Sequence, residues 1–150
     1  MGAPVEATAP ADIAAVRELF AEYARLVDEP CCFVDFQREL DTLPGDYRLF
    51  FFSDSAGCVA VRLLDPDTAE MKRLYVRAAH RGKGLGRALA EAAIDAARAA
   101  GCRRMVLDTL PKMAEAQALY RTLNFRRIGP YLKNPTPGAI CYELSLSGSG

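Results

Sequence analysis

The chain has 150 residues, about the length of one domain. Half of the residues are apolar and a quarter are charged, and 19 basic side chains balance 19 acidic ones, which argues against a disordered chain and against a strongly basic nucleic-acid binder. No stretch approaches the roughly 20 consecutive apolar residues of a membrane helix, and the first residues lack the features of a secretory signal. We therefore expect a single cytoplasmic domain at 1–146 and a disordered Ser-Gly tail at 147–150, with no membrane or nucleic-acid partner.

The first half of the chain predicts one short strand, two helices and a three-stranded meander. Alternating apolar and polar residues predict the strand at 5–8. Apolar residues at helical spacing predict one helix that begins at Pro10 and ends before Pro30, and a shorter one between Phe33 and Pro44. The period then changes to that of strands. Three consecutive antiparallel strands are expected at 47–53, 58–64 and 69–76.

The second half predicts helices that alternate with strands. A long Ala-rich helix at 84–100 lies between the strand at 69–76 and a short strand at 105–109, which makes a right-handed crossover between two parallel strands. A helix that begins at Pro111 follows, and then two strands separated by a long turn at 134–138. These last strands are expected at 125–131 and 139–146. The predicted fold class is a single α/β (α+β) domain with a mixed, mostly antiparallel sheet.

The charged residues are unevenly distributed along the chain. Residues 1–68 have a net charge of −8, residues 69–104 a net charge of +6, and residues 105–150 a net charge of +2. A basic block of this kind is typical either of a solvated helix face or of a local anion site.

The loop at 81–87, between the third meander strand and the long helix, is rich in glycine and basic residues. Three glycines stand at alternate positions: Gly82, Gly84 and Gly86. Backbone without Cβ atoms can approach a ligand closely, and the free N–H groups of a helix N-terminus favour phosphate. Three cations stand beside the glycines: Arg81, Lys83 and Arg87. The loop therefore predicts a phosphate site, with a flexible hinge as the alternative, but it has neither the Walker sequence nor the strand order of a dinucleotide fold.

Two segments carry motifs in a characteristic order and spacing. In the first segment, Arg81, Gly84 and Gly86 follow a strand and open a helix. It resembles motif A of the GCN5-related N-acetyltransferase (GNAT) family, whose pattern is Arg/Gln-x-x-Gly-x-Gly/Ala. The second segment, 116–125, is similar to motif B of the same family, Ala-x-x-Leu-Tyr-x-x-x-Gly-Phe. The order of the predicted elements also fits this family over nearly the whole chain.

Two positions depart from the pattern of the family. Asn124 stands where motif B usually has glycine, and asparagine tolerates the left-handed conformation expected there. Met113 stands where many relatives have an asparagine that contacts the cofactor. That polar contact is therefore absent, or Thr109 or Gln117 replaces it.

The resemblance implies a sheet whose central parallel strands splay apart, with acetyl-CoA as the cosubstrate between them and no metal. The pyrophosphate is expected on the amides of residues 81–86, and the pantetheine arm is expected to pair with the end of the third meander strand as an added strand does. The resemblance assigns ten residues to acetyl-CoA: Leu74, Tyr75, Val76, Arg81, Gly82, Lys83, Gly84, Leu85, Gly86 and Arg87.

The resemblance also implies direct transfer of the acetyl group to a primary amine, which needs a base, an oxyanion donor and an acid. Glu70 is the expected base, directly or through water. A water chain is the alternative base, and an ion pair with Lys72 or an arginine is the alternative role of Glu70. The backbone N–H of Val76 is the expected oxyanion donor. Tyr120 is the expected acid or thiolate stabiliser, with a purely structural core tyrosine as the alternative.

The acceptor is expected opposite acetyl-CoA, between the first two helices and the turn before the last strand. The candidate substrate residues are Phe33, Arg73 and Tyr131, and the same regions hold Phe36, Lys133 and Asn134. The acidic first half of the chain suits a cationic amine, and the side chains of Lys72, Arg73 and Lys133 suit a carboxylate. The expected acceptor is therefore an amino-acid-like small molecule or an amine metabolite. A protein N-terminus or a lysine is the alternative acceptor.

Other functions and partners remain open at this point. The chain could be a non-catalytic acetyl-CoA sensor or a nucleotide-phosphate binder unrelated to CoA. Exposed C-terminal strands in such folds often pair, which makes a homodimer one expectation. The five cysteines are odd in number and lack a Cys-x-x-Cys spacing, so we expect small buried side chains in a reduced compartment. His80 is the only histidine, which excludes a His-rich metal site, and we expect it at the surface or beside phosphates.

Overall fold

The computed structural model describes residues 3–28, 33, 35–53, 56–133 and 135–146. The helices in this part are α1 (Pro10–Val27), α2 (Phe36–Thr42), α3 (Leu85–Ala99) and α4 (Ala114–Thr122). The strands are β1 (Val5–Glu6), β2 (Leu49–Ser53), β3 (Gly57–Asp65), β4 (Thr68–Val76), β5 (Arg104–Thr109), β6 (Arg126–Ile128) and β7 (Ile140–Ser145). A short 3-10 helix, Ala78–His80, leads from β4 to the glycine loop. No helix of the described residues is long and apolar enough to cross a membrane.

The described strands form one mixed sheet. Its spatial order is β1-β2-β3-β4-β5-β7-β6. β4 and β5 run parallel and are joined through α3, while every other neighbouring pair is antiparallel. The meander, the parallel crossover and the α/β class predicted from the sequence are confirmed.

β4 and β5 separate after a short paired segment. Residues 68–70 of β4 pair with residues 104–106 of β5. Beyond this segment β4 continues to Val76 in its pairing with β3, and β5 continues to Thr109 in its pairing with β7. A cleft therefore opens between the carboxyl ends of the two central strands.

A bulge at Arg73 lies where the separation begins. The pairs Cys58–Tyr75 and Ala60–Lys72 leave one residue of β3 opposite two residues of β4. Arg73 has a left-handed φ of 59°. Because a bulge bends its strand and increases the local twist, it directs the last residues of β4 away from the line of β5.

Helices cover both faces of the sheet. α1 and α2 pack on one face, where Phe20 and Phe50 are fully buried. α3 and α4 pack on the other face, around Leu89 and Met105. The sheet side of α3 includes small residues such as Ala93, so the helix can lie close to β3 and β4. The two layers hold the strands that border the cleft in fixed positions.

Some predicted bounds differ from the structure for local reasons. The predicted helix at Pro111 begins instead at Ala114, because residues 110–113 form a turn closed by a bond from the Met113 N–H to the Leu110 carbonyl (2.9 Å). β6 has three residues instead of seven, since Gly129 and then Pro130 follow it and proline has no N–H for a ladder.

Other predictions are confirmed or lie outside the described residues. Asn124 has the predicted left-handed conformation, with a φ of 72°. The described cysteines are buried and free, as predicted: Cys58, Cys102 and Cys141. Residues 54 and 55 of the predicted turn lie outside the described residues, as do residue 134 and the tail at 147–150.

We predict that Gly57→Ala lowers the free energy of unfolding by about 1–3 kcal/mol, which a urea melt would measure. A Cβ atom at Gly57 would lie 2.6 Å from the carbonyl oxygen of Tyr75, so the pairing of β3 with the end of β4 must shift. Gly129→Ala is the matched control, because no atom lies within 4 Å of a Cβ atom there. Equal stability of the two variants would contradict this assignment.

Candidate functional site

Two adjoining cavities open from the cleft between β4 and β5. The first, the loop cavity, extends from the end of β4 to the glycine loop and the first turn of α3. The second, the strand cavity, lies among β4, β5 and α1. The cavities share four lining residues: Tyr23, Leu74, Met113 and Ala116. A long ligand bound at the glycine loop can therefore reach into the strand cavity.

The glycine loop presents backbone to the loop cavity. Gly82 and Gly84 have φ angles of 77° and 81°, and no atom lies within 4 Å of a Cβ atom placed at either residue. Gly84 is the N-cap of α3, and no described side chain caps the free N–H groups of that turn. The open space and the uncapped N–H groups make a concave site for an anion, because a helix N-terminus has a partial positive charge.

Eight of the ten residues predicted for acetyl-CoA line the loop cavity, and Lys83 and Arg87 do not. Lys83 is exposed. Arg87 points to α4, where its Nη1 donates to the hydroxyl of Thr122 (3.2 Å). Arg81 lines the cavity, and its Nε donates to the carbonyl of Val76 (3.0 Å). This bond joins the glycine loop to the end of β4. His80 and Lys112 add two more basic side chains to the lining.

The end of β4 offers unpaired backbone to the loop cavity. Val76 pairs with Gly57, and a bond from the Arg77 N–H to the Ala56 carbonyl (2.8 Å) flanks this pair. In an antiparallel ladder this arrangement directs the N–H and C=O of Val76 itself away from β3. Its carbonyl accepts from Arg81, and its N–H faces the cleft. An extended ligand can add to the strand at this point.

Tyr120 extends from α4 into the strand cavity. Its ring packs against Phe125 and Tyr142, with centroids 5.7 and 6.0 Å apart. No described residue forms a hydrogen bond with its hydroxyl. Burial raises the pKa of Tyr120, and Tyr23 and Asp108 raise it further. The phenol therefore stays protonated at neutral pH and can donate a hydrogen bond to a ligand.

Glu70 lies where β4 and β5 separate, and its side chain is completely buried. One carboxylate oxygen accepts from Nε of Arg62 and the other accepts from the hydroxyl of Tyr131. The contact with Arg62 matches the alternative of an arginine ion pair, and Glu70 lines neither cavity.

Tyr131 joins the segment after β6 to β4 through this contact. Burial raises the pKa of Tyr131, and the Glu70 carboxylate raises it further, because ionisation would place two negative charges side by side. The phenol therefore remains a donor to Glu70. Tyr131 itself does not line the strand cavity.

Phe33 and Arg73, the other predicted substrate residues, do line the strand cavity. The guanidinium of Arg73 lies over the ring of Phe33, 4.5 Å from Cζ to the centroid. Its Nη2 donates to Oε1 of Glu39 in α2 (2.8 Å). Arg73 thus fixes α2 and one wall of the cavity. Lys133 is exposed outside it, and Asn134 lies outside the described residues.

Met113 lines both cavities at the position where a cofactor-binding asparagine was expected. The hydroxyl of Thr109 donates to its sulfur (3.5 Å). The amide of Gln117 donates to the carbonyls of Leu110 (3.0 Å) and Pro111 (3.3 Å). The side-chain amide of Gln117 therefore holds the segment between β5 and α4. Its hydrogen bonds go to backbone of this segment rather than into the cavity.

Several residues that line the cavities were not predicted from the sequence, among them Tyr23, Asp108 and Lys112. The spacing of Tyr23 fits the apolar stripe of α1, and nothing local distinguishes it from a core residue. Lys112 lies in the turn that sequence reasoning assigned to a helix. Asp108 is the only carboxylate of β5 and follows three consecutive apolar residues, which is the one local signal that could have identified it.

The chain resembles known proteins of one family. The sequence model of the Acetyltransferase (GNAT) family matches residues 13–125. An uncharacterized N-acetyltransferase of Schizosaccharomyces pombe is 41% identical over 92 residues, which cover 61% of this chain and 56% of that protein. The match therefore spans little more than half the length of this relative.

Solved structures share the fold over nearly the whole chain. A putative acyl-CoA N-acyltransferase of Klebsiella pneumoniae has a TM-score of 0.72 at 25% identity, covering 95% of this chain and 96% of its own. A putative acetyltransferase of Salmonella typhimurium, solved with its cofactor acetyl-CoA, also has a TM-score of 0.72, at 22% identity, covering 99% and 98% of the two chains.

We predict that Gly84→Ala weakens acetyl-CoA binding at least about tenfold in a calorimetric titration, because its Cβ atom enters the open space above the uncapped N–H groups. Alanine at a φ of 81° also costs roughly 1–2 kcal/mol of stability. Gly101→Ala is the matched control, because Gly101 has a φ of 86° in open space beyond the C-terminus of α3. It should lose similar stability and keep its affinity. Equal affinities would contradict the anion site.

Proposed function

The chain belongs to the GNAT acetyltransferase family, and on this premise we propose that it transfers the acetyl group of acetyl-CoA directly to a primary amine of a small molecule. The observation that supports this proposal is that the two cavities adjoin and share lining residues. Together they begin at the uncapped N-terminus of α3, follow the unpaired end of β4 and end at the free hydroxyl of Tyr120. The acceptor is an amino-acid-like molecule or an amine metabolite, and it binds in a ternary complex. The same proposal includes a single acetyltransferase domain over residues 1–146, a cytoplasmic location and a homodimer.

Acetyl-CoA fits the backbone groups that the chain leaves open. The N–H groups at Gly84 and Leu85 lie at the helix N-terminus and suit the pyrophosphate. The backbone at 74–76 suits an amide-containing arm that adds to β4 as a strand. Arg81, Lys83 and Arg87 surround the loop with positive charge, although only Arg81 lines the cavity. When bound, acetyl-CoA supplies a thioester whose carbonyl carbon accepts the attack of the amine.

The N–H of Val76 faces the cleft between the two cavities and suits the thioester oxygen as its negative charge develops. Tyr120 suits the sulfur, since its hydroxyl opens into the strand cavity without a partner among the described residues. The raised pKa of Tyr120 lies above that of a thiol, about 8.5, so complete proton transfer to the sulfur is uphill. Tyr120 therefore acts by donating a hydrogen bond to the departing thiolate.

The amine must lose a proton before it attacks, because its solution pKa of about 10.4 keeps it charged at neutral pH. We assign the acceptance of this proton to Glu70. Its carboxylate has no exposed surface and lines neither cavity, so the route passes through the hydroxyl of Tyr131. Because Tyr131 does not line the strand cavity either, an intervening water takes the proton of the amine and passes one to Tyr131, which gives its own proton to Glu70. Arg62 holds the carboxylate in place throughout.

Calorimetric titration with acetyl-CoA, CoA and ATP, followed by thiol release across a panel of amines, tests the proposed function. We expect micromolar binding of acetyl-CoA, weaker binding of ATP, and turnover on at least one small amine. Absence of acetyl-CoA binding would overturn the proposal. Tight binding without turnover on any small amine would contradict the small-molecule acceptor, and a peptide with a free N-terminus and lysine would then separate a protein acceptor from a non-catalytic sensor.

We predict that Tyr120→Phe lowers kcat about 10- to 100-fold, the effect of one hydrogen bond to a charged group, roughly 1.5–3 kcal/mol. The Kd of acetyl-CoA and the melting temperature should hardly change, because the hydroxyl has no partner among the described residues. Tyr142→Phe is the matched control. The Tyr142 hydroxyl contacts Arg121 and Gln117 in the same core, so this variant should lose stability rather than kcat. The reverse pattern would contradict the role of Tyr120.

We predict that Glu70→Gln and Tyr131→Phe each lower kcat about 100-fold near neutral pH. Both defects should shrink as the pH rises toward the pKa of the acceptor amine, because a neutral amine needs no base. A rate profile from pH 6 to pH 10 measures this. Full activity of Tyr131→Phe would exclude the route through the phenol. A defect that stays constant with pH would mean that the two residues only hold the segment after β6 in place.

A further inference from the structure

The strand cavity contains two opposite charges on facing strands. Glu70 of β4 pairs with Val106 of β5, and two residues further along each strand stand Lys72 and Asp108. Because side chains alternate along a strand, both lie on the same face of the sheet as Glu70. The strands have begun to diverge at this level, so the two residues border the cleft from opposite sides, and both line the strand cavity.

Neither charge has a partner among the residues that the structure describes. Within the described residues, Lys72 and Asp108 form no hydrogen bond and no ion pair, with each other or with other groups. The other charged groups beside the cavity are paired: Arg73 with Glu39, and Glu70 with Arg62. Half-buried charges without partners are costly, and at a cavity wall a ligand of complementary charge offsets that cost.

The positions of the two charges orient a ligand. Asp108 is close enough to Tyr120 to raise the pKa of its phenol, and Tyr120 marks the end of the cavity where the thioester is proposed to lie. A cationic amine held by Asp108 therefore stands next to the reacting carbon. Lys72 stands across the cleft on β4, where it suits a carboxylate.

The remaining wall of the strand cavity is mostly apolar. Tyr23 and Phe33 pack edge to face, with centroids 6.0 Å apart, and both line the cavity. Val27, Leu110 and Ala139 add to this wall, which also includes Thr109 and Thr136. Because the guanidinium of Arg73 is already held by Glu39, this wall offers contact area rather than hydrogen bonds to a substrate side chain.

We propose that the acceptor is a free amino acid with an apolar side chain, whose ammonium binds Asp108 and whose carboxylate binds Lys72. The inference rests on the proposed function and specifies its substrate. Recognition by these two residues precedes the proton transfer through Tyr131 and leaves that route unchanged. Asp108 is thus the residue that selects an amine, and Lys72 the residue that selects an amine with a neighbouring carboxylate.

Acceptors that differ by one group test this proposal in a thiol-release assay with saturating acetyl-CoA. L-phenylalanine and phenethylamine differ only in the carboxylate. L-leucine and L-asparagine have side chains of similar shape, but the side chain of leucine is apolar and that of asparagine is polar. We expect kcat/KM at least about tenfold higher for phenylalanine than for phenethylamine, since only phenylalanine has the carboxylate that forms a charge-assisted bond with Lys72. We expect leucine to exceed asparagine by a similar factor. A phenethylamine rate equal to that of phenylalanine, or an asparagine rate equal to that of leucine, would overturn the proposal.

Two variants with matched controls assign the charges. Lys72→Met should lower kcat/KM for phenylalanine about tenfold more than kcat/KM for phenethylamine, whereas Asp108→Asn should lower both to a similar extent. The controls are Lys133→Met and Asp95→Asn, at exposed positions outside both cavities. Equal effects of Lys72→Met on the two acceptors would overturn the role of Lys72.

Acetyl-CoA titration of each protein distinguishes a failure of the inference about the acceptor from a failure of the proposed acetyltransferase function. Normal acetyl-CoA binding and turnover without discrimination between acceptors would overturn the inference about Lys72 and Asp108 and leave the proposed function standing. Failure of the unmodified chain to bind acetyl-CoA would overturn both. A direct readout is calorimetric binding of phenylalanine in the presence of CoA, which Asp108→Asn should weaken and Asp95→Asn should not.

Discussion

The separation of β4 from β5 is the constraint on which the rest of the site depends. Two parallel strands that stayed paired to their ends would fill the cleft with their own hydrogen bonds. Here pairing stops after residue 70, and the bulge at Arg73 bends the remainder of β4 away. The Arg73 side chain at this bulge contacts Glu39 of α2 and the ring of Phe33, which precedes α2. One backbone irregularity thus opens the cleft and also builds one of its walls.

The two cavities use different parts of the chain for binding. The loop cavity places main-chain N–H groups of the β4 end and of the first turn of α3 beside basic side chains such as His80 and Lys112. The residues of the strand cavity come mainly from α1, β4, β5, α4 and the segment before β7. The two cavities share Leu74, Met113 and Ala116, uncharged residues that lie between the uncapped N–H groups of the glycine loop and the charged side chains of the strand cavity.

The sequence was sufficient for most of the fold and for the loop cavity because the evidence there is local. The glycines, the cations and the helix start lie within seven consecutive residues, and the periodicities on both sides identify a strand and a helix. Asn124 could be assigned a left-handed conformation from its position alone. The contact of Arg87 with Thr122 could not be predicted from the sequence, because Thr122 is 35 residues away along the chain.

The strand cavity could not be predicted in the same way, because its residues converge only through tertiary packing. Glu70 was predicted as the base, but its partners Arg62 and Tyr131 come from β3 and from the segment after β6 and could not be identified from the sequence. Asp108 and Lys72 lie on opposite sides of the cleft at the same level because the register of β4 and β5 aligns Glu70 with Val106. Neither register nor strand separation can be read from periodicity.

The division between a main-chain cavity and a side-chain cavity has a consequence for divergence. Main-chain N–H groups are the same whatever residue carries them, so substitutions around the loop cavity leave its chemistry intact unless they occur at Gly82 or Gly84. The strand cavity has no such protection, because each contact there belongs to one side chain. A lineage descended from this chain can therefore change its acceptor through a few substitutions on α1, β4 and β5 while it keeps the same acyl donor.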